Sequence, residues 1–201
     1  MSASLGDFLR GLPDFPENLP DFDVASAPAD PAALFRAWLE EAAAAGVRQP
    51  HACSLATVGA EGQPSSRMVL LKNIDADGWH FATSRTSRKG TELTANPRAA
   101  LNFFWADQGR QVRVVGKVVE LSAEASAADW RGRPADDGRD NPHWQLYAVL
   151  PREIEFWQGR HDRKHIRHIY RPGVQSGPPT PFPEVVSRPF PGPSCPDTGS
   201  R

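Results

Sequence analysis

Apolar and polar residues alternate in short runs through the middle of the chain: HACSLATV (51–58), SSRMVLLKN (65–73), GWHFATS (78–84), RAALNFFW (98–105), QVRVVGKVVEL (111–121), WQLYAVL (144–150) and REIEFWQ (152–158). A period of two bounded by Gly, Asn, Asp and Pro predicts strands. The runs follow one another without a helix after each, which predicts antiparallel pairing: an α+β, mainly β fold of six or seven strands closed as a barrel. A doubly wound sheet is excluded on that order, and no GxGxxG turn is present. Helical spacing occurs in three places. Asp30-Pro31 is an N-cap with proline at the first helical position, and Phe35, Trp38, Leu39 and Ala42 recur behind it until Gly46. SRKGTELTANP predicts a short helix ended by Asn96-Pro97, and SAEASAADWRGRP another, capped by Ser122 and ended near Pro134.

Proline sets the boundaries. Five prolines fall in 1–31 and nine in 172–201, leaving six for the stretch between. Each removes a backbone donor and pushes its predecessor toward extended geometry. The reading is an acidic, proline-containing arm at 1–29, one domain at 30–171 and a disordered tail at 172–201. At 201 residues one core is expected. No apolar run is long enough for a spanning helix, and the N-terminus lacks the basic and apolar regions of a secretory signal, so the expected compartment is cytoplasmic. Cys53 and Cys195 stand far apart without a CxxC, which excludes a disulfide framework or cysteine-built zinc site. A net charge of -1 gives no electrostatic case for nucleic acid or an anionic membrane. Residues 152–171 nevertheless hold six bases against three acids, which points an anion site toward the second half.

Three clusters concentrate cationic and polar side chains. In SSRMVLLK, Arg67 and Lys72 stand five apart, so a regular pleat puts them on opposite faces; solvated strand bases are the bland alternative. Thr83 through Gly90 (TSRTSRKG) leads from a strand into a helix start, where hydroxyls, cations and free N–H groups suit a phosphate monoester; a solvated cap is the alternative. The third cluster, EFWQGRHDRKHIR (155–167), has three readings. His161, His165 and His168 have helical spacing for a metal but lack a completing acid or cysteine; a basic aromatic patch could meet nucleic acid; on a strand, Arg163, His165 and Arg167 would share a face lining an anionic-ligand pocket.

Taken in order, SSRMVLLK (65–72), FATSRTSRKG (81–90), NPRAALNFFW (96–105), GRQVRVVGKVVELS (109–122), RGRP (131–134) and IEFWQGRHDRKHIRHIY (154–170) resemble the pyridoxine/pyridoxamine 5′-phosphate oxidase family of FMN flavoproteins. The resemblance covers about 30–171. It implies a split β-barrel homodimer with FMN in clefts between the subunits. By motif position, Arg67, Met68, Val69, Leu70, Thr83, Arg88 and Lys89 would hold the flavin, its phosphate or ribityl chain, while Lys72 and Gln111 would approach the ring system. Trp157 and Arg167 would complete that site across the interface. Lys72 and Arg133 would meet a substrate phosphate, and Arg163 and His165 the substrate ring and its reactive carbon. The implied reaction is oxidation of pyridoxamine or pyridoxine 5′-phosphate by hydride transfer to flavin, with O2 as the final acceptor and no metal.

The sequence also departs from the family. Asp129-Trp130 replaces an aromatic hydroxyl before RGRP, Asp136 and Asp137 stand where a phosphate-binding serine is expected, and only seven residues separate Pro134 from Pro142 in place of a long segment. The opening DFDVASAPADPAALFRAWLEEAAAAGVRQP resembles the phenazine-biosynthesis oxidases of the same superfamily, whose substrates are reduced aromatic acids without phosphate. That gives one alternative, a phenazine-type oxidase. A second is a non-catalytic protein that binds FMN or pyridoxal phosphate.

Overall fold

The computed structural model describes residues 4–133 and 138–171. The proline-rich tail, Cys195, Pro134, Asp136 and Asp137 lie outside the described residues. Four helices, α1 (Leu5–Arg10), α2 (Pro31–Ala44), α3 (Arg88–Ala95) and α4 (Ala123–Arg131), accompany seven strands. These are β1 (Ala52–Val58), β2 (Pro64–Asp75), β3 (Gly78–Ser84), β4 (Arg98–Trp105), β5 (Arg110–Glu120), β6 (Trp144–Gln158) and β7 (Ile166–Tyr170). The caps follow the sequence: Asp30, Ser87 and Ser122 each accept a backbone N–H at the start of α2, α3 and α4.

The sheet runs β3-β2-β1-β4-β5-β6-β7, every pair antiparallel, and an additional β3–β6 pairing closes six strands into a barrel. β7 extends the sheet beyond the closure. Two of the strand-like runs are one strand in the structure: WQLYAVL and REIEFWQ join through Pro151 as the 15-residue β6. A register shift between Val115 and Gly116 accommodates the proline opposite Gly116. Only glycine fits there, since a Cβ at 116 would collide with the Leu150 carbonyl. The first half of β6 then pairs with β3 and the second half with β7.

Barrel-facing residues are large and apolar: Leu55, Phe81, Leu101, Phe103, Val112, Val114 and Phe156 are fully buried. From α2, Phe35 meets the rings of Trp79 and Phe103 at 4.6 and 4.8 Å, and Trp38 meets Phe156 at 5.2 Å. Burying one such ring contributes about 1.5–3 kcal/mol. The N-terminal arm joins this core. Phe22 packs on Trp38 and His168, Tyr170 Oη donates to the Pro28 carbonyl, and Phe15 lies 6.1 Å from the ring of Trp157.

Candidate functional site

Alternation on β2 carries Arg67, Val69 and Leu71 inward and Met68, Leu70 and Lys72 outward, so the two cations lie on opposite faces as the spacing predicts. The pleat breaks at the second of them: a register shift between Leu71 and Asn73 leaves Lys72 at the irregularity. Val69 is in the core, so only its backbone can meet a ligand, whereas Met68 and Leu70 are exposed.

Arg67 reaches α3. Its guanidinium donates to Ser65 and Thr57 hydroxyls and sits 2.9 Å from Glu92 Oε2, while Arg88 Nε sits 2.8 Å from Glu92 Oε1. Ser65 and Thr57 also donate to Glu92, and these hydrogen bonds, joined by the two guanidinium groups, hold its carboxyl down at about 2. Lys89 completes the group. Partial burial, and then the nearby Arg67, lower its pKa. Thr83 Oγ1 lies 3.3 Å from Ser87 Oγ, which caps α3. Three cations around one carboxylate leave two positive charges at a helix start. That charge and donor set fit a phosphate dianion, which would relieve the crowding of Lys89 and Arg67. This densest cationic group lies in the first half of the chain, not in the basic 152–171 segment. Three of the segment's six bases are drawn off by carboxylates: Arg160 by Asp162, Arg167 by Glu155 and Arg171 by Glu153.

A second group lies across the outer face. The registers Phe104↔Gln111, Gln111↔Trp157 and Trp157↔Arg167 place these four residues in one row over β4, β5, β6 and β7. Glu155, 2% exposed, anchors the row by pairing with Arg167 at 3.3 Å and Arg113 at 3.4 Å. The shared strand face expected for Arg163, His165 and Arg167 is not formed. β7 begins at Ile166, so Arg163 and His165 lie in the loop before it. Arg163 takes a left-handed φ of 63°, a conformation no strand supports, which turns the chain there. His165 still meets the row: its ring is 4.8 Å from Trp157, and its Nδ1 accepts the Arg160 N–H at 3.1 Å, leaving Nε2 to carry the proton of the neutral ring.

The third group forms where α4 meets β6. Lys72 Nζ is 3.4 Å from Asp129 Oδ1, and Asp129 Oδ2 accepts from Trp144 Nε1 at 2.8 Å. Arg133 lies over the Trp130 ring at 3.1 Å and near Trp144 at 5.3 Å. The structure thus gathers Arg67, Thr83, Arg88 and Lys89 in one place, Gln111, Trp157, Arg167 and His165 in another, and in a third Lys72 and Arg133, joined through the Asp129–Trp144 hydrogen bond. Sequence reasoning missed Glu92, Ser65, Thr57, Glu155 and Trp144, and met Asp129 and Trp130 only as departures from the family's pattern. Only the Arg88/Glu92 spacing of four was a visible signal. No group of His, Cys, Asp and Glu suited to a metal occurs among the described residues, and no helix among them is long and apolar enough to cross a membrane.

Comparison with known proteins fixes the lineage. The family "Pyridoxamine 5′-phosphate oxidase" matches residues 39–158, and "Pyridoxine 5′-phosphate oxidase C-terminal dimerisation region" matches 144–178. The chain belongs to the pyridoxamine 5′-phosphate oxidase family. The family's members are FMN-dependent oxidoreductases, and this chain is an enzyme of that type. It is 43% identical over 183 residues to the pyridoxine/pyridoxamine 5′-phosphate oxidase of Bordetella avium, spanning 75% of this chain and 87% of that one. It is 41% identical over 187 residues to the enzyme of the same name from Cupriavidus pinatubonensis, spanning 77% and 87%. Among solved structures it is similar to PhzG from Burkholderia lata in complex with tetrahydrophenazine-1-carboxylic acid, with a TM-score of 0.72, 28% identity, and 79% and 95% of the chains covered. A pyridoxamine 5′-phosphate oxidase-related, FMN-binding protein from Nostoc punctiforme shares the fold at a TM-score of 0.60 and 17% identity.

Proposed function

We propose that this pyridoxamine 5′-phosphate oxidase family member is a homodimeric oxidase of a small anionic heterocycle, holding FMN by its phosphate in the cradle of Arg67, Thr83, Arg88 and Lys89. The observation that carries this reading is the pair of uncompensated positive charges around Glu92 at the start of α3. Bound FMN would supply the two-electron chemistry, taking up a hydride from the substrate and returning the electrons to O2, which leaves as hydrogen peroxide. The protein's own residues bind and orient. Met68 and Val69-Leu70 would flank the flavin from β2, and Gln111 would face its ring system. Trp157 and Arg167, in the row that ends on exposed Phe104, would meet the flavin across the dimer interface. Arg163 and His165 would close over the substrate, and Lys72 and Arg133 would take its anionic group.

For the substrate, the relatives' names support pyridoxamine or pyridoxine 5′-phosphate. A second reading, a reduced aromatic acid of the phenazine type, is favoured by Asp129 standing against Lys72 and by the likeness to PhzG. The test is the absorbance spectrum of freshly purified protein, followed by release and mass identification of the chromophore and anaerobic reduction by each candidate. A flavin spectrum with FMN mass is expected, bleached by one substrate class. A colourless protein that takes up no added FMN would overturn the reading. A flavin that no candidate reduces would support a carrier. Arg163→Ala should lower turnover at least ten-fold with FMN content unchanged; equal loss of both would place Arg163 in the cofactor site.

A further inference from the structure

The anionic-group subsite contains a fixed anion of its own. Asp129 is 13% exposed and cannot simply swing aside, because Trp144 Nε1 donates to one of its oxygens at 2.8 Å while the other faces Lys72 at 3.4 Å. α4 itself is pinned beneath it, with Ser126 Oγ accepting the Leu146 N–H at 3.0 Å. Arg133 is held as well, its Nε donating to the Trp130 carbonyl at 3.0 Å and its guanidinium lying on the Trp130 ring. Among the described residues that meet here, two cations and one carboxylate leave a single positive charge between aromatic walls, where Trp130 and Trp144 meet edge to face at 5.2 Å. A phosphate monoester carries close to two negative charges above a pH of about 6, and an aromatic carboxylate carries one.

The geometry points to Asp129 as the residue that sets substrate charge, matching the site to a planar aromatic monocarboxylate and selecting against phosphate dianions. The inference rests on the proposed reading that Lys72 and Arg133 face the substrate. Asp129 acts through Lys72 and through its field; it is a specificity determinant and touches no reacting atom. Because Coulomb repulsion scales with ligand charge, removing the carboxylate should help a dianion more than a monoanion.

The test titrates FMN-loaded protein with two probes that leave the flavin oxidised, phenazine-1-carboxylate and 4-deoxypyridoxine 5′-phosphate, read by flavin absorbance and tryptophan fluorescence. Near pH 8 the wild-type protein should bind the carboxylate more tightly. Asp129→Asn, which keeps an acceptor for Trp144, should tighten the phosphate probe about ten-fold and the carboxylate about three-fold. At about pH 5, where the phosphate becomes a monoanion, the two gains should converge. A purely structural role for Asp129 would not produce that pH dependence. If Asp129→Asn is unstable, Asp129→Ser and the wild-type protein alone still report, since wild-type affinity for phosphate relative to carboxylate should rise from pH 8 to pH 5. Equal gains at both pH values, or a wild-type preference for phosphate near pH 8, overturn the inference while leaving the flavin site intact. Loss of FMN from the wild-type protein instead overturns the reading beneath it.

Discussion

Beneath α3, Glu92 takes Arg67 and Arg88 and leaves Lys89 half-buried without a carboxylate among the described residues. Where α4 meets β6, Asp129 takes Lys72 and leaves Arg133 resting on indole. Each cluster uses one acid shielded from solvent to aim long, flexible cations, Glu92 holding two of them and Asp129 one. They differ in what remains after the acid is satisfied: two positive charges in the first and one in the second. If both clusters bind anions as proposed, the residual charge would indicate which anion each one takes. Burial sharpens the distinction, because charges shielded from water interact more strongly.

Four changes would break or sharpen that contrast. The largest effect is expected from Arg67→Ala, which strips Glu92 of a guanidinium and frees the hydroxyls of Thr57 and Ser65. FMN affinity should fall about 100-fold and the melting temperature by roughly 5 °C, measured by equilibrium dialysis and scanning fluorimetry. Unaltered FMN retention would remove the cradle from the flavin site. Lys89→Ala should weaken FMN about ten-fold while leaving apoprotein melting unchanged, since Lys89 has charge to lose and no ion pair among the described residues. In the other cluster, Arg133→Ala should leave FMN content intact and raise the substrate KM several-fold; a comparable loss of FMN would mean that the two clusters are one site. The smallest effect is a pH dependence. Glu92 is held at about 2 in the folded protein against an ordinary 4.5, so its contribution to stability is complete above pH 4.5 and is lost as pH falls toward 2. Melting temperatures of wild type and Glu92→Gln should therefore converge over that window, and parallel curves would contradict the assignment.

Much of the architecture was legible from period and punctuation. The caps at Asp30 and Ser122 stand where the sequence placed them, and the first five strand runs stand where alternation did. Pro151 misled, because a proline ordinarily ends a strand, and the glycine that makes room for it opposite, Gly116, is distant in sequence. Arg163 and His165 misled for a related reason. Their alternation with Arg167 looks extended, but strand pairing begins only at Ile166 and a left-handed Arg163 turns the chain first. At the candidate site the cations were visible and their carboxylates were not. Glu92 reads as half of an ordinary helical surface pair with Arg88, and nothing local ties it to Arg67. Asp129 meets Lys72 only once α4 has packed beside β6. Long-range partners of this kind leave no periodic trace.

β6 is hydrogen-bonded along both edges, to β5 on one side and to β3 and then β7 on the other. The strand that closes the barrel is thus also the strand that carries Glu155 and Trp157 to the outer face. Over 147–149 and 154–158 it is paired on both sides and cannot fray alone, so the amides there should be among the slowest in the protein to exchange with deuterated solvent, opening only when the whole domain does. The outer half of the candidate site would inherit that rigidity: Trp157 would keep its place on the timescale of global unfolding, while the Arg163 loop beside it is held by its own hydrogen bonds among Arg160, Asp162 and His165 instead of by strand pairing.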